Sequence, residues 1–571
     1  MTVLSVWAPR AGRVEVEVGG SRQAMSPGER GWWWAEVPDP QVDYAFALDG
    51  GPSLPDPRSA WQPFGVHAPS RTLDHSSYCW EDGSWKAGPL SSAVVYELHV
   101  GTFTEEGTFE AATKRLDHLV DLGITHLELM PVNEFSGIRG WGYDGVDLFA
   151  PHHAYGGPEG LKRLVDACHR AGLAVIMDVV YNHLGPEGNY LGRFGPYFTN
   201  RYHTPWGAAI NLDGPGSDEV RRFLCDNAVM WLRDYHLDGL RIDAVHAIFD
   251  MSAVHFLEQL ADEVRKLEAR LGRHLVVIAE SDLNDPRLVR PPEAGGYGLD
   301  AQWSDDFHHA LWTVLTGEQD GYYADFGSLG QLAKSLRNAY VYEGQRSVFR
   351  ERRHGRPPGG VPGERFLGYL QNHDQVGNRG CGERSSEVMS RGRLEVGAAL
   401  VLTAPFVPML FQGEEWGAST PFLYFSGHED PELGEAVRRG RREEFAGFGW
   451  DPQAVPDPQD PDTYRRAKLD WGELGRPPHA DLLEWHRKLI RLRRRSPSLV
   501  DGRRDLVQVR HDERARWLVM QRSRMTVAVN LASAGQVVPA GGRIVLASSQ
   551  AELDREGVKL PPESVAILES T

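Results

Sequence analysis

Residues 173–183, LAVIMDVVYNH, form a short apolar run broken by Asp178 and closed by Asn182 and His183. A carboxylate inside an apolar β-like segment is costly unless it is paired or hydrogen-bonded. The same design recurs seven more times: SAVVYELHVGTF (92–103), THLELMPV (125–132), DGLRIDAVHAI (238–248), LVVIAESD (275–282), DAQWSDDF (300–307), RFLGYLQNHD (365–374) and PMLFQGEEWG (408–417). Long amphipathic segments separate several of them, among them 108–123, 218–236 and 252–272. Eight strand-then-helix units over some four hundred residues predict an α/β fold, a parallel (β/α)8 TIM barrel with loop insertions. The polar, Gly/Pro-rich stretch 355–363 reads as a loop between the sixth and seventh strands.

Flanking segments read differently. Residues 1–88 look all-β, with VEVEV (14–18) and YAFAL (44–48) between turn-rich stretches. The Trp32-Trp33-Trp34 run is either a sugar-stacking platform or a strand with one buried indole and two half-exposed ones, and the strand is preferred. After the helix-like LLEWHRKLIRLRRR, residues 499–571 return to short strands and are expected to form a small C-terminal β domain, leaving 89–498 for the barrel.

Among the 571 residues, 41% are hydrophobic and 25% charged, as in ordinary globular chains. A net charge of -18 disfavours nucleic-acid binding, which leaves a basic footprint. Cys79, Cys168, Cys225 and Cys381 show no metal spacing, and Cys168 and Cys225 read as buried helix residues. With no leader-like N-terminus and no membrane-length apolar run, a cytoplasmic protein without membrane association is expected.

Acids gather at the downstream ends of the strand-like runs, the catalytic face of a parallel barrel: Asp178, Asp243, Glu280 and Asp374. Arg241 and Asp243 stand two apart, on one face, so the guanidinium should hold Asp243 ionised. Glu280 closes an apolar run with no adjacent cation, which should raise its pKa toward that of a working acid. Two carboxyls tuned in opposite directions are what glycoside hydrolysis requires.

DVVYNH, GLRIDAVHAI, VIAESD and YLQNHDQVGN together resemble the four short motifs of the α-amylase superfamily, in order. The resemblance implies Asp243 as nucleophile, Glu280 as general acid/base and Asp374 as transition-state stabiliser. It further implies His183 and His373 on the sugar, Tyr143 stacking beneath it, and Asp178 and Asn182 as framework. The start of the chain, WAPRAGRVEVEV, resembles the N-terminal β-sandwich of branching, debranching and trehalose-releasing members. ESDLNDPRLV, DAQWSDDFHHAL and HDQVGNR resemble the maltooligosyltrehalose trehalohydrolases. Substrate contacts are therefore expected from Arg241, Ile242, Ala244, Val245 and His246, from Trp303, Asp305, Asp306, Phe307, His308 and His309, and from His373, Gln375, Val376, Gly377 and Asn378.

The expected partner is an α-glucan oligosaccharide with a trehalose end, cut next to that end with retention of configuration. A glycogen branching enzyme, a debranching hydrolase and a non-catalytic glucan-binding homologue are the rivals. Ser281, where branching enzymes more often carry an acid, weighs against the first. No cofactor and no metal are expected, since no calcium-ligand spacing is present, although some superfamily members bind calcium near the third-strand loop.

Overall fold

The computed structural model describes residues 2–37, 41–447 and 455–570, with backbone only at 444–447. All eight strand-like runs are strands: β1 (Val95–Leu98), β2 (His126–Leu129), β3 (Ala174–Val179), β4 (Gly239–Ile242), β5 (Val276–Ala279), β6 (Ala301–Trp303), β7 (Phe366–Gly368) and β8 (Val407–Phe411). They pair in parallel in chain order, and β8 closes on β1.

Side-chain alternation along these strands builds two cores at once. Val95, Ile176, Ile278, Trp303, Leu367 and Met409 face inward and form one cluster. Their neighbours Tyr96, Met177, Leu240, Val277 and Leu410 face outward and join the core shared with the helices. Two residues further along the inward register stand Glu97, Asp178 and Glu280, and Arg241 and Asp243 share that register on β4. The acids are thus the upper layer of the barrel interior. Gly239 is required here, because a Cβ would come within 2.5 Å of the Val276 side chain.

The main helices of the described barrel are α1 (Phe109–Thr113), α2 (Leu116–Leu122), α3 (Gly157–Arg170), α4 (Ser217–Asp234), α5 (Phe256–Leu271), α6 (Asp305–Thr316), α7 (Leu329–Asn338), α8 (Arg391–Thr403), α9 (Pro431–Gly447) and α10 (His479–Arg495). The segment 108–123 reads as one helix but is two. The break falls at Lys114 and Arg115, where the Arg115 guanidinium turns onto the Trp471 ring, 4.4 Å from its centroid. Cys168 and Cys225 are buried, in α3 and α4, as their context suggested.

Two antiparallel sheets precede the barrel, one holding Thr2–Trp7 and Trp32–Val37, the other Val14–Val18 and Asp43–Leu48. The Gly19-Gly20 turn joining Val14–Val18 to Ser21–Ala24 has positive φ at both glycines, as a two-residue hairpin loop demands. No indole of the tryptophan run is fully buried: Trp32 and Trp33 are half-buried and Trp34 is 46% exposed. Trp32 donates its N–H to Glu219 of α4, fastening this sheet to the barrel.

At the other end, Val507–Asp512, Trp517–Arg522, Met525–Asn530, Ser564–Glu569 and Arg543–Ala547 form a five-stranded sheet. MTVAVN alternates in sequence yet is buried at all six positions, because a smaller sheet covers one face and barrel helices the other. No described helix is long and apolar enough to cross a membrane.

Candidate active site

A cleft of about 790 Å³ opens at the downstream ends of the strands, lined by Asp243, Glu280 and Asp374. Arg241 lies directly beneath it, fully buried. Its Nη1 donates to Asp178 Oδ2 (2.6 Å) and Asp243 Oδ1 (2.7 Å), and its Nη2 stands 3.8 Å from Glu280 Oε2. Trp303 supports the guanidinium from below, ring centroid 4.3 Å away. Burial works against ionising Asp243, but Arg241, His183 and the Asn182 amide together hold its carboxyl below the ordinary carboxylate range. Asn182 Nδ2 donates to Asp243 Oδ2 at 2.8 Å.

Glu280 does have a cation nearby, contrary to the reading of its flanking residues, since the fold brings Arg241 across from β4. Burial nevertheless prevails and pushes its pKa up to about 8, against Arg241 and reinforced by Asp243. The Ala244 N–H donates to Glu280 Oε2 at 2.7 Å. Ala244 adopts φ 40°, ψ 53°, left-handed backbone that a residue with a Cβ occupies only at a cost.

A second chain of contacts runs from β1 to Asp178, which shares the Arg241 guanidinium with Asp243. Glu97 pairs with His373 Nδ1, His373 Nε2 faces the Tyr143 hydroxyl at 2.8 Å, and that hydroxyl donates to Asp178 at 2.6 Å. Burial opposes a charge on His373, but Asp374 and Glu97 raise its pKa to about 9, so the ring donates from both nitrogens. Tyr143 stacks on His373 with ring centroids 5.1 Å apart.

Of the residues expected at the substrate, Tyr143, His183, Ala244, His246, Asp305, His309, His373, Gln375 and Asn378 line the cleft with the three acids. Arg241 and Trp303 lie under it. Ile242 points outward, as the residue between Arg241 and Asp243 must, and Val245 is buried behind the wall. Helical spacing divides α6: Asp305 and His309, four apart, face the cleft, while Asp306, Phe307 and His308 turn away. Asp306 accepts from the backbone N–H groups of Val341 (2.6 Å) and Tyr342 (2.9 Å) and from Asn284 Nδ2 (2.7 Å). Phe307 packs on Phe406, and His308 bonds Leu370 O and the Tyr323 hydroxyl. Val376 is buried, and Gly377 sits against Trp141, which would clash with any Cβ.

Other wall residues escaped the sequence reading: Asp144, Trp206, Asp282, Tyr322, Phe349, Arg350, Tyr424 and His428, with four residues of α9. Most come from loop insertions without motif spacing, whereas Asp144 follows Tyr143 and Asp282 ends VIAESD, where nothing in the flanking residues sets them apart. Glu97 and Glu128, both 1% exposed, carried the signal already used for Asp178, an acid inside an apolar run.

Among the described residues, two trios could meet around a cation: Glu134, His152 and His153, and His67, Glu187 and Glu429. None of these six lines the cleft. The Glu134 carboxylate already accepts from His153 Nδ1 at 2.6 Å.

The alpha amylase catalytic-domain family matches residues 81–203, and the DUF3459 domain of unknown function matches 502–567. The chain is 52% identical to a malto-oligosyltrehalose trehalohydrolase of Arthrobacter ramosus, over 99% of this chain and 98% of that one. It is 50% identical to the protein of that name from Mycobacterium tuberculosis (strain H37Rv), over 100% and 99%. In structure it is similar to a crystal structure of a putative alpha amylase from Salmonella typhimurium, with TM-score 0.92 and 36% identity over 100% of this chain and 97% of that one.

Proposed function

The chain belongs to the malto-oligosyltrehalose trehalohydrolases, glycoside hydrolases of the α-amylase superfamily, and we propose that Asp243 and Glu280 carry out its reaction. The reaction is hydrolysis of an α-glucan oligosaccharide that releases trehalose. In the finer reading, the bond cut is the α-1,4 linkage joining the terminal trehalose to the rest of the chain, and domain boundaries fall near residues 88 and 498.

The observation that carries the assignment is the opposite tuning of two carboxyls around one buried guanidinium. Glu280, protonated at neutral pH, gives its proton to the glycosidic oxygen. Its Oε2 is taken by Ala244 N–H, which leaves Oε1 for the transfer. Asp243 attacks the anomeric carbon, the C–O bond breaks, and trehalose departs as a neutral alcohol. The Glu280 carboxylate then takes a proton from water, whose oxygen displaces Asp243 and frees the maltooligosaccharide with retained configuration. Asp374 holds hydroxyls of the reacting sugar, and Tyr143, held in place by charged His373 and by Asp178, supports its ring.

On the leaving-group side, Asp305 and His309 supply hydrogen-bonding groups for the trehalose hydroxyls. A site built to pair specific hydroxyls rejects a substrate that leaves its groups unpaired. Incubation with maltooligosyltrehalose should therefore give free trehalose, far faster than a plain maltooligosaccharide of equal length is cut. Branched glucan without trehalose would instead indicate a branching enzyme.

A further inference from the structure

Helix α9, inserted after β8, presents Leu433, Val437, Gly440 and Arg441 to the cleft. These positions, spaced i, i+4, i+7 and i+8, form one helical face. We propose that this face is the wall of the subsites receiving the oligosaccharide beyond the cleaved residue, and that Gly440 determines how much chain fits there. The proposal rests on the activity and catalytic roles assigned above.

The helix is fastened on the glycone side. Arg441 donates to Asn378 Oδ1 (3.1 Å) and Gly377 O (2.5 Å), and its guanidinium lies over the Tyr424 ring, 4.9 Å from the centroid. Asn378 Nδ2 in turn donates to Asp374 Oδ1 at 3.3 Å, and Tyr424 packs edge-on against Trp141. Asp374 is the group assigned above to the sugar that Asp243 attacks, so this end of the helix lies toward that sugar. Beyond the acid, on the leaving-group side, the wall is built differently, from Asp282 paired with Arg350 at 2.8 Å.

Among the described residues, nothing requires glycine at 440. It lies inside a 17-residue helix, where glycine is less stable than alanine. Its φ is not positive, and no described atom lies within 4 Å of where a Cβ would stand. Gly434, in the same helix, is buried against Gln459 and so differs. What glycine provides at this exposed position is, among the described residues, open volume where it lines the cleft, one turn beyond the apolar surface of Val437. Half-buried Leu433 and Val437 suit the C–H faces of glucose rings.

Full-length wild type, Gly440→Leu and Gly440→Ala should be compared on glucosyltrehalose, with one glucose before the scissile bond, and on maltooligosyltrehaloses with four or more. Leucine favours the helix, so the fold should hold, as thermal melting would verify. Gly440→Leu should lower kcat/KM on the longer substrates at least about tenfold and leave glucosyltrehalose within about twofold, since misfit of even small apolar groups discriminates on that scale. Gly440→Ala should raise Tm and show the same length dependence more weakly, so the test survives a poorly folded leucine variant. Equal loss on both substrates, or no change on either in folded variants, overturns the proposal. Wild type that releases no trehalose from either substrate overturns the activity assignment, and the subsite wall with it.

Discussion

Arg241 divides one buried charge among three carboxyls, at 2.6 Å from Asp178, 2.7 Å from Asp243 and 3.8 Å from Glu280. Distance alone does not order them: burial lifts the Asp178 pKa to about 6 despite the shortest contact. At Asp243 the cation is joined by His183 and the Asn182 amide and outweighs burial, and at Glu280 burial prevails. At neutral pH one carboxyl is ionised and the other carries a proton, the division of labour the reaction needs. Asp243→Ala and Glu280→Ala should each lower kcat by about four orders of magnitude or more while leaving the circular dichroism spectrum unchanged, and the double variant should be little worse, because the two act as a unit. Near wild-type turnover by a folded Asp243→Ala protein would remove the mechanism. The kcat/KM profile should be bell-shaped. Activity falls as pH rises through about 8, where Glu280 loses its proton, and falls again in acid as Asp243 gains one, below the ordinary carboxylate range. Arg241→Ala withdraws the cation from both groups, so both limbs should move to higher pH. An acidic limb that stays in place would contradict the pairing.

The start of α6 shows how an element selects among adjacent residues. Asp305 and Asp306 are chemically alike, yet only Asp305 reaches the cleft, where it accepts the Tyr369 hydroxyl and burial lifts its pKa to about 7. Asp306 instead ties α6 to the backbone at Val341 and Tyr342, just before the hairpin Glu343–Arg346/Arg353–Gly355. That hairpin carries Phe349 and Arg350 to the cleft wall. Asp306→Ala should leave up to three donors unpaired, cost at least about 1–3 kcal/mol of stability, and lower activity on maltooligosyltrehalose and plain maltooligosaccharide alike. Asp305→Asn should chiefly change the ratio between the two substrates. The reverse pattern in paired kinetic and melting experiments would exchange these roles.

Across the whole molecule, the C-terminal sheet meets the barrel at two buried arginines, Arg522 of the sheet and Arg493 of the barrel, which bond backbone carbonyls at one place. Arg522 Nη1 donates to Thr403 O, Ala404 O and Leu499 O, and its Nη2 to Asp501 O. Arg493 of α10 donates to Leu402 O, Ala404 O and Phe406 O. Both converge on the end of α8 and the approach to β8. Burial lowers the pKa of each, to about 10 for Arg522 and about 9 for Arg493, which still leaves them charged at neutral pH. Arg522→Leu should leave buried carbonyls unpaired and destabilise the protein by about 3 kcal/mol or more. The expected readout is a clearly lower Tm with catalytic constants retained below the transition. An unchanged Tm would mean that the sheet is held by its apolar contacts alone.

Local sequence was sufficient for the eight strands and for the acids on their ends, because an apolar run carrying one carboxylate is informative without its neighbours. The inward register that places Asp178, Asp243 and Glu280 in one layer follows from alternation along each strand. Sequence also indicated the all-β character of both flanking segments. Tertiary structure decided what depends on distance between strands. The cation beside Glu280 comes from β4, and Glu97 meets His373 across 276 residues. Helix phase decided that Asp305 and His309 face the cleft while Asp306 and His308 do not. The remaining cleft wall, from Trp206 to α9, is supplied by insertions whose residues acquire a shared role only when the closed barrel sets its loops around one opening.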